Sequence, residues 1–153
     1  MGTIRKAKMK DVDRIVQLVN QYAEEQLLLP RSKISICESL MAFSVLEENG
    51  RVQAVAALHI LWEDLAEIRS LAVDESAKGR GFGRMLVERL IEEARELGIR
   101  KVIALTYEDV FFEKCGFSIV QKEVLPHKVW KDCLNCSKFP VCDEIAMMKE
   151  LEV

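Results

Sequence analysis

Along residues 11–24 the apolar positions Ile15, Leu18, Val19, Tyr22 and Ala23 recur at helical spacing, and Asp11 stands before them as a candidate N-cap. "TIRKA" (3–7) ahead of them reads as a short strand. Pro30 closes this region, and "SKISICESLM" (32–41) reads as a second, shorter helix starting after Ser32. "FSVLEENGRVQAVAALHILW" (43–62) is two strands around Asn49-Gly50, the pair of residues best suited to positive φ in a tight turn. "LAEIRSLAV" (65–73) is another strand. After a glycine-rich stretch, Leu86, Leu90, Ala94 and Leu97 mark one helical face, closed by Gly98. "KVIAL" (101–105) is a continuous apolar run, expected of a strand covered on both faces. "DVFFEKCG" (109–116) reads as a short helix ended by glycine, and "FSIVQKEVL" (117–125) and "EIAMMKEL" (144–151) as strands. The order βααβββαβαβ…β predicts a mixed α/β domain around one sheet. No repeat, linker or low-complexity segment divides it, so 1–153 is expected to be one domain, with a cysteine-rich segment at 127–142.

Composition narrows the function classes. Half of the 153 residues are hydrophobic and 31% are charged, the balance of a globular protein able to bury a sizeable core. A formal charge of −3 argues against a nucleic-acid partner, which usually leaves a basic footprint. The longest apolar run, "AVAALHILW", falls well short of the roughly 20 residues that span a bilayer, so no membrane partner is expected. Five cysteines, an odd number, without an apolar signal-peptide core at the N-terminus, point to a reducing compartment and a cytoplasmic location.

The chemistry concentrates in "AKGRGFGRML" (77–86). Gly79, Gly81 and Gly83 alternate with Lys78, Arg80 and Arg84, and Phe82 lies between the last two glycines. A glycine-rich turn between strand and helix lets main-chain N–H groups approach an anion, and the helix start adds the positive end of its dipole. The spacing is neither the Walker loop nor the dinucleotide pattern G-x-G-x-x-G, because Leu86 stands where that pattern needs glycine. On local grounds a flexible solvated turn is the alternative.

The wider stretch "IRSLAVDESAKGRGFGRMLVERLIEEARELGIRKVIAL" resembles the acetyl-CoA-binding core of the GNAT acyltransferases. Their signature is Arg or Gln, two residues, Gly, one residue, then Gly or Ala. Lys78 takes the first position, a departure, and Gly81 and Gly83 take the glycine positions. The resemblance implies a GNAT fold: a central mixed, mostly antiparallel sheet of six to seven strands, flanked by helices, with a splayed strand pair that holds acetyl-CoA. Residues 78–84 would cradle its pyrophosphate. Leu71, Ala72 and Val73 would line the pantetheine arm, with the Val73 N–H near the thioester carbonyl. A donor aimed at a developing oxyanion is worth about 3 kcal/mol of barrier. Glu67 would be the base that deprotonates the attacking amine, the alternative being an ordinary surface carboxylate. Where many members carry a tyrosine to protonate the leaving thiolate, Phe112 stands, beside the cofactor. Tyr107 is the remaining candidate acid. A thiol with pKa about 8.5 leaves without a strong acid, so no tyrosine is expected to be essential.

For the acceptor, "LLLPRSKIS" supplies Arg31 after a rigid Pro30, and Arg69 and Ser70 lie on the strand leading to the reaction centre. A guanidinium grips a carboxylate at two points, which suits an acidic amino acid better than a polyamine. "LPRS", "AEIRSLAV", "TYEDVFFEKCGF" and "LPHKVWKDCLNC…CDEIAM" together resemble the short, single-domain bacterial amino-acid acetyltransferases of the N-acetylglutamate synthase type. That implies acetyl transfer to the α-amino group of L-glutamate, the first step towards arginine. The 153 residues contain no amino-acid-kinase domain of the kind the long synthases carry, so feedback through such a domain is not expected. Their C-terminal basic-Ser pattern is also missing from "CDEIAMMKEL". The family resemblance also allows a homodimer formed through the C-terminal strand region.

"HKVWKDCLNCSKFPVC" offers His127, Cys133, Cys136 and Cys142. These can hold a structural zinc in tetrahedral coordination or remain free thiols. Cys37 and Cys115 fall in helical patterns and read as small core residues. Two other readings stay open: a GNAT enzyme for another amine, such as a protein N-terminus, a lysine or an antibiotic, and a non-catalytic acyl-CoA or metal sensor.

Overall fold

Asn49 and Gly50 have φ of 54° and 77°, the geometry that turns two strands tightly back on each other. A computed structural model describes residues 2–25, 28, 31–121 and 144–152. The turn joins β2 (Phe43–Glu48) to β3 (Arg51–Trp62). β1 (Thr3–Lys6) pairs antiparallel with β2, and β2 antiparallel with β3. β4 (Leu65–Val73), β5 (Lys101–Thr106), β6 (Ser118–Ile119) and β7 (Ile145–Glu150) complete a seven-stranded sheet of order β1-β2-β3-β4-β5-β7-β6. β7 is antiparallel to both β5 and β6. β4 and β5 run parallel and share a ladder only over Leu65–Glu67, three of the nine residues of β4.

The helices are α1 (Val12–Glu24), α2 (Lys33–Glu38), α3 (Phe82–Glu96) and α4 (Asp109–Lys114). The Ser32 hydroxyl accepts the Ser35 N–H at 3.1 Å and so starts α2 where the sequence places it. Asp11 precedes α1 but does not cap it. Its buried carboxylate accepts from the Lys8 N–H at 2.8 Å and from both terminal nitrogens of Arg5, at 2.8 and 3.0 Å. An ion pair with two aligned bonds outcompetes a single amide for that carboxylate. At the end of α3 the Ile99 N–H reaches the Ala94 carbonyl and the Gly98 N–H that of Arg95, the paired closure expected at a glycine. Leu86, Leu90 and Ala94 are buried as the periodicity predicts, but Leu97 is 59% exposed. It lies in the closing turn, where the chain has already left the helical path. The strand expected over 117–125 forms at Ser118–Ile119, and 122–125 fall outside the described residues.

The chain has two compact units, Met1–His59 with Ile68–Glu93, and Ile60–Glu67 with Ala94–Val153. In the first, Ile15, Leu18 and Val19 of α1 and Ile36 of α2 pack with Phe43, Val45, Val55 and Ala72 of the sheet. In the second, Leu65, Ile103 and Ala146 form the centre, with Leu61, Leu105, Val120 and Met148 against it. Phe112 of α4 sits edge-on between Phe111 and Phe117, at centroid distances of 5.1 and 5.2 Å.

Candidate functional site

The segment from the end of β4 to the start of α3 is anchored at Asp74. Its carboxylate accepts from the Ser76 hydroxyl and the Arg14 guanidinium, each at 2.6 Å, and from the Ser76 N–H at 2.9 Å. The Ser76 hydroxyl, then Arg14, hold this carboxyl well below the usual range. Arg14 is itself oriented by the Val52 carbonyl, and the Asp74 N–H donates to the Gln53 carbonyl. Beyond this anchor, Gly79 and Gly81 have φ of +83° and +82°, left-handed values that favour glycine. Among the described residues, a Cβ on either would meet no heavy atom within 4 Å besides its chain neighbours, so an oxygen can approach the main chain there. The first helical bond runs from the Met85 N–H to the Gly81 carbonyl at 3.0 Å. The N–H groups of residues 82–84 therefore precede the helical ladder, at the positive end of a 15-residue helix. Gly83 is helical and buried, so its contribution there is small size. Main-chain N–H groups in this arrangement can cradle an anion.

The nearby cations meet carboxylates of the same chain. Arg80 makes two bonds to Glu48, at 2.7 and 2.5 Å, and its guanidinium lies 4.6 Å from the Phe82 ring centre. Glu48, at the end of β2 and 8% exposed, is held below the usual carboxylate range by Arg80. Lys78 pairs with Glu75 at 3.0 Å, and its ammonium lies 4.9 Å from the Tyr22 ring centre. Arg84 pairs with Glu88 one helical turn on.

On β4, Ser70 is buried with φ of +57°, an uncommon value for a serine inside a strand. Arg31 reaches its hydroxyl at 3.4 Å and those of Ser35 and Ser39 at 2.9 and 3.1 Å, while its guanidinium carbon lies 5.5 Å from the Phe43 ring centre. Asn20 of α1 accepts the Arg31 N–H at 3.1 Å and donates to the Arg31 carbonyl at 3.2 Å. The Val73 N–H donates to the Tyr22 hydroxyl at 3.3 Å. Leu71 and Arg69 are half-buried and Ala72 is fully buried.

The sequence profile of the acetyltransferase (GNAT) family matches residues 12–117. The chain belongs to the GNAT family. It is therefore an acyltransferase, and its seven-stranded mixed sheet with flanking helices is the GNAT fold. An uncharacterised N-acetyltransferase of Chlorobaculum tepidum is 40% identical over 148 residues, covering 97% of this chain and 96% of that protein. An amino-acid acetyltransferase of Mycobacterium tuberculosis is 40% identical over 121 residues, 77% of this chain and 69% of that one. Among solved structures, N-acetylglutamate synthase from Neisseria gonorrhoeae with coenzyme A and N-acetyl-glutamate superposes with a TM-score of 0.91 at 28% identity. That match covers 100% of this GNAT chain but 36% of the synthase.

Several residues expected at the site from sequence are brought together in the first unit: Arg31 with Ser70, and Val73 followed by the glycine cradle. Glu67 is 5% exposed, which excludes the surface-carboxylate alternative. Tyr107 is half-buried just after β5, and Phe112 is packed in the aromatic cluster of α4. His127, Cys133, Cys136 and Cys142 lie outside the described residues. Among the described residues no group of three or more His, Cys, Asp or Glu could hold a metal ion. Cys37 is half-buried and Cys115 buried. No helix among the described residues is long and apolar enough to cross a membrane. Sequence reasoning missed Arg14, Asn20 and Glu48 altogether, and took Tyr22 only as a member of the apolar face of α1.

Proposed function

We propose that this GNAT chain transfers the acetyl group of acetyl-CoA to the α-amino group of L-glutamate. The observation that carries the acceptor is Arg31. Three serine hydroxyls and an aromatic face orient its guanidinium. A guanidinium held in this way beside β4 suits a carboxylate of the acceptor. Arg69 adds a second positive charge on the same strand. The relatives named amino-acid acetyltransferase, and the synthase solved with N-acetyl-glutamate, support the same reading.

The main-chain cradle at 79–84 takes the diphosphate of acetyl-CoA, with the buried Phe82 within it and Lys78, Arg80 and Arg84 along the same segment. Leu71 and Val73 offer backbone groups to the pantetheine arm, and the Val73 N–H receives the charge that grows on the thioester oxygen. Glu67 accepts the proton of the ammonium. That proton reaches Glu67 directly or through water. The free amine attacks the thioester carbon, the new C–N bond forms, the C–S bond breaks, and the thiolate leaves and takes a proton. Tyr107 is dispensable for that last step because a thiolate is a stable leaving group.

A thiol-release assay with acetyl-CoA and a panel of amino acids, polyamines and peptides tests this. L-Glutamate should give the highest kcat/KM. Faster release with a peptide or a polyamine would favour a GNAT enzyme for another amine. Acetyl-CoA binding without turnover on any amine would favour a sensor.

A further inference from the structure

The Val73 N–H, assigned above to acetyl-CoA, is occupied in this structure by a side chain of the protein itself. The Tyr22 oxygen accepts it at 3.3 Å, from the last turn of α1. One N–H makes one well-aligned bond, so the tyrosine oxygen and a carbonyl of the ligand compete for it. The bond is long, and an oxygen that gains negative charge is the stronger acceptor. The Lys78 ammonium also faces the Tyr22 ring, 4.9 Å from its centre, while paired with Glu75. Lys78 also directly precedes the main-chain cradle proposed for the diphosphate. An incoming diphosphate draws that ammonium away from the ring and loosens the same tyrosine.

We infer that Tyr22 is a stand-in for a carbonyl oxygen of the acyl-pantetheine arm: its hydroxyl keeps the Val73 amide bonded in the empty protein and gives it up when the ligand binds. The inference rests on the proposed role of the Val73 N–H. The carbonyl has two possible sources in the ligand, the thioester and the pantetheine amide, and one variant separates them. Tyr22→Phe removes the competing oxygen and keeps the ring under Lys78. Calorimetric titration with acetyl-CoA and with free CoA, which lacks the thioester, is the measurement.

If the thioester displaces Tyr22, the variant binds acetyl-CoA roughly three- to tenfold more tightly than the unsubstituted protein, with CoA unchanged. If the amide does, both ligands tighten equally; Tyr22 keeps its role and the oxyanion assignment of Val73 falls. Unchanged or weaker binding of both ligands overturns the inference while leaving acetyl-CoA binding intact. So does a tenfold or greater fall in kcat at saturating acetyl-CoA, because the hydroxyl is then a participant in the reaction. If the unsubstituted protein binds neither ligand, the function proposed above fails instead. A crystal structure of the unsubstituted protein with acetyl-CoA gives a second reading. Tyr22 Oη should stand more than about 4 Å from the Val73 nitrogen, and a retained bond beside a seated arm overturns the inference.

Discussion

Arg31 has its peptide fixed by Asn20 and its guanidinium by serines, so its position depends on two sets of neighbours. Arg31→Ala should raise the KM for glutamate at least about tenfold and leave acetyl-CoA binding within about twofold, because its proposed contact is with the acceptor carboxylate and not with the cofactor. Equal losses for both substrates would contradict that assignment. Asn20→Ala should reproduce a milder form of the same KM effect with the guanidinium still present. In the proposed mechanism Glu67 takes the proton of the amine, so Glu67→Gln should lower kcat about a hundredfold or more with an unchanged Kd for acetyl-CoA. Pre-steady-state thiol release separates the two effects. The residue types at these positions were legible from sequence: an arginine after a proline, and a carboxylate on the strand before the signature loop. The partners were not. Val73 and Tyr22 are 51 residues apart, and Arg14 and Asp74 are 60 apart. No local pattern announces a bond of that range.

The elements were read more completely, because their signals are local. Asn49-Gly50, the Ser32 cap and the glycines after α3 and α4 each act within a few residues, and each stands where the sequence puts it. Asp11 and Leu97 departed for tertiary and geometric reasons, an ion pair in one case and a closing turn in the other. The glycine loop shows both sides. Its composition was visible, but the clamp that holds Arg80 between two left-handed glycines comes from Glu48, 32 residues earlier. Removing the clamp should loosen the presentation of the N–H groups. Glu48→Gln is expected to weaken CoA binding roughly three- to tenfold, with kcat at saturation unchanged. Tighter binding would mean instead that the released guanidinium goes to the diphosphate. Gly81→Ala meets no heavy atom within 4 Å among the described residues, so its folding cost should be about 1–2 kcal/mol, from the backbone angle. CoA affinity should fall by more than that, since the added methyl stands where the diphosphate is proposed to approach. Paired thermal melts and titrations measure both.

For the whole molecule the carboxylates set the response to acid. Arg5 holds Asp11 and Glu47 below their usual range, Arg80 does so for Glu48, and Ser76 with Arg14 for Asp74. Folding lowers these pKa values, so their stabilisation is present above the ordinary carboxylate range near pH 4 and is lost as pH falls below it. The urea midpoint should therefore drop between pH 7 and pH 3. Asp74→Asn should cost about 1–3 kcal/mol at pH 7 and progressively less as the medium approaches pH 2. An equal cost at both pH values would show that the anchor works by shape and not by charge. The hairpin tip carries a practical warning for anyone engineering this protein. An exposed two-residue bend is a natural choice for grafting an epitope or a fluorescent reporter, yet here Asn49 directly follows the carboxylate that clamps the cradle. An insertion at that bend would dull cosubstrate capture while the fold survived, and a tagged enzyme could be mistaken for a poor one.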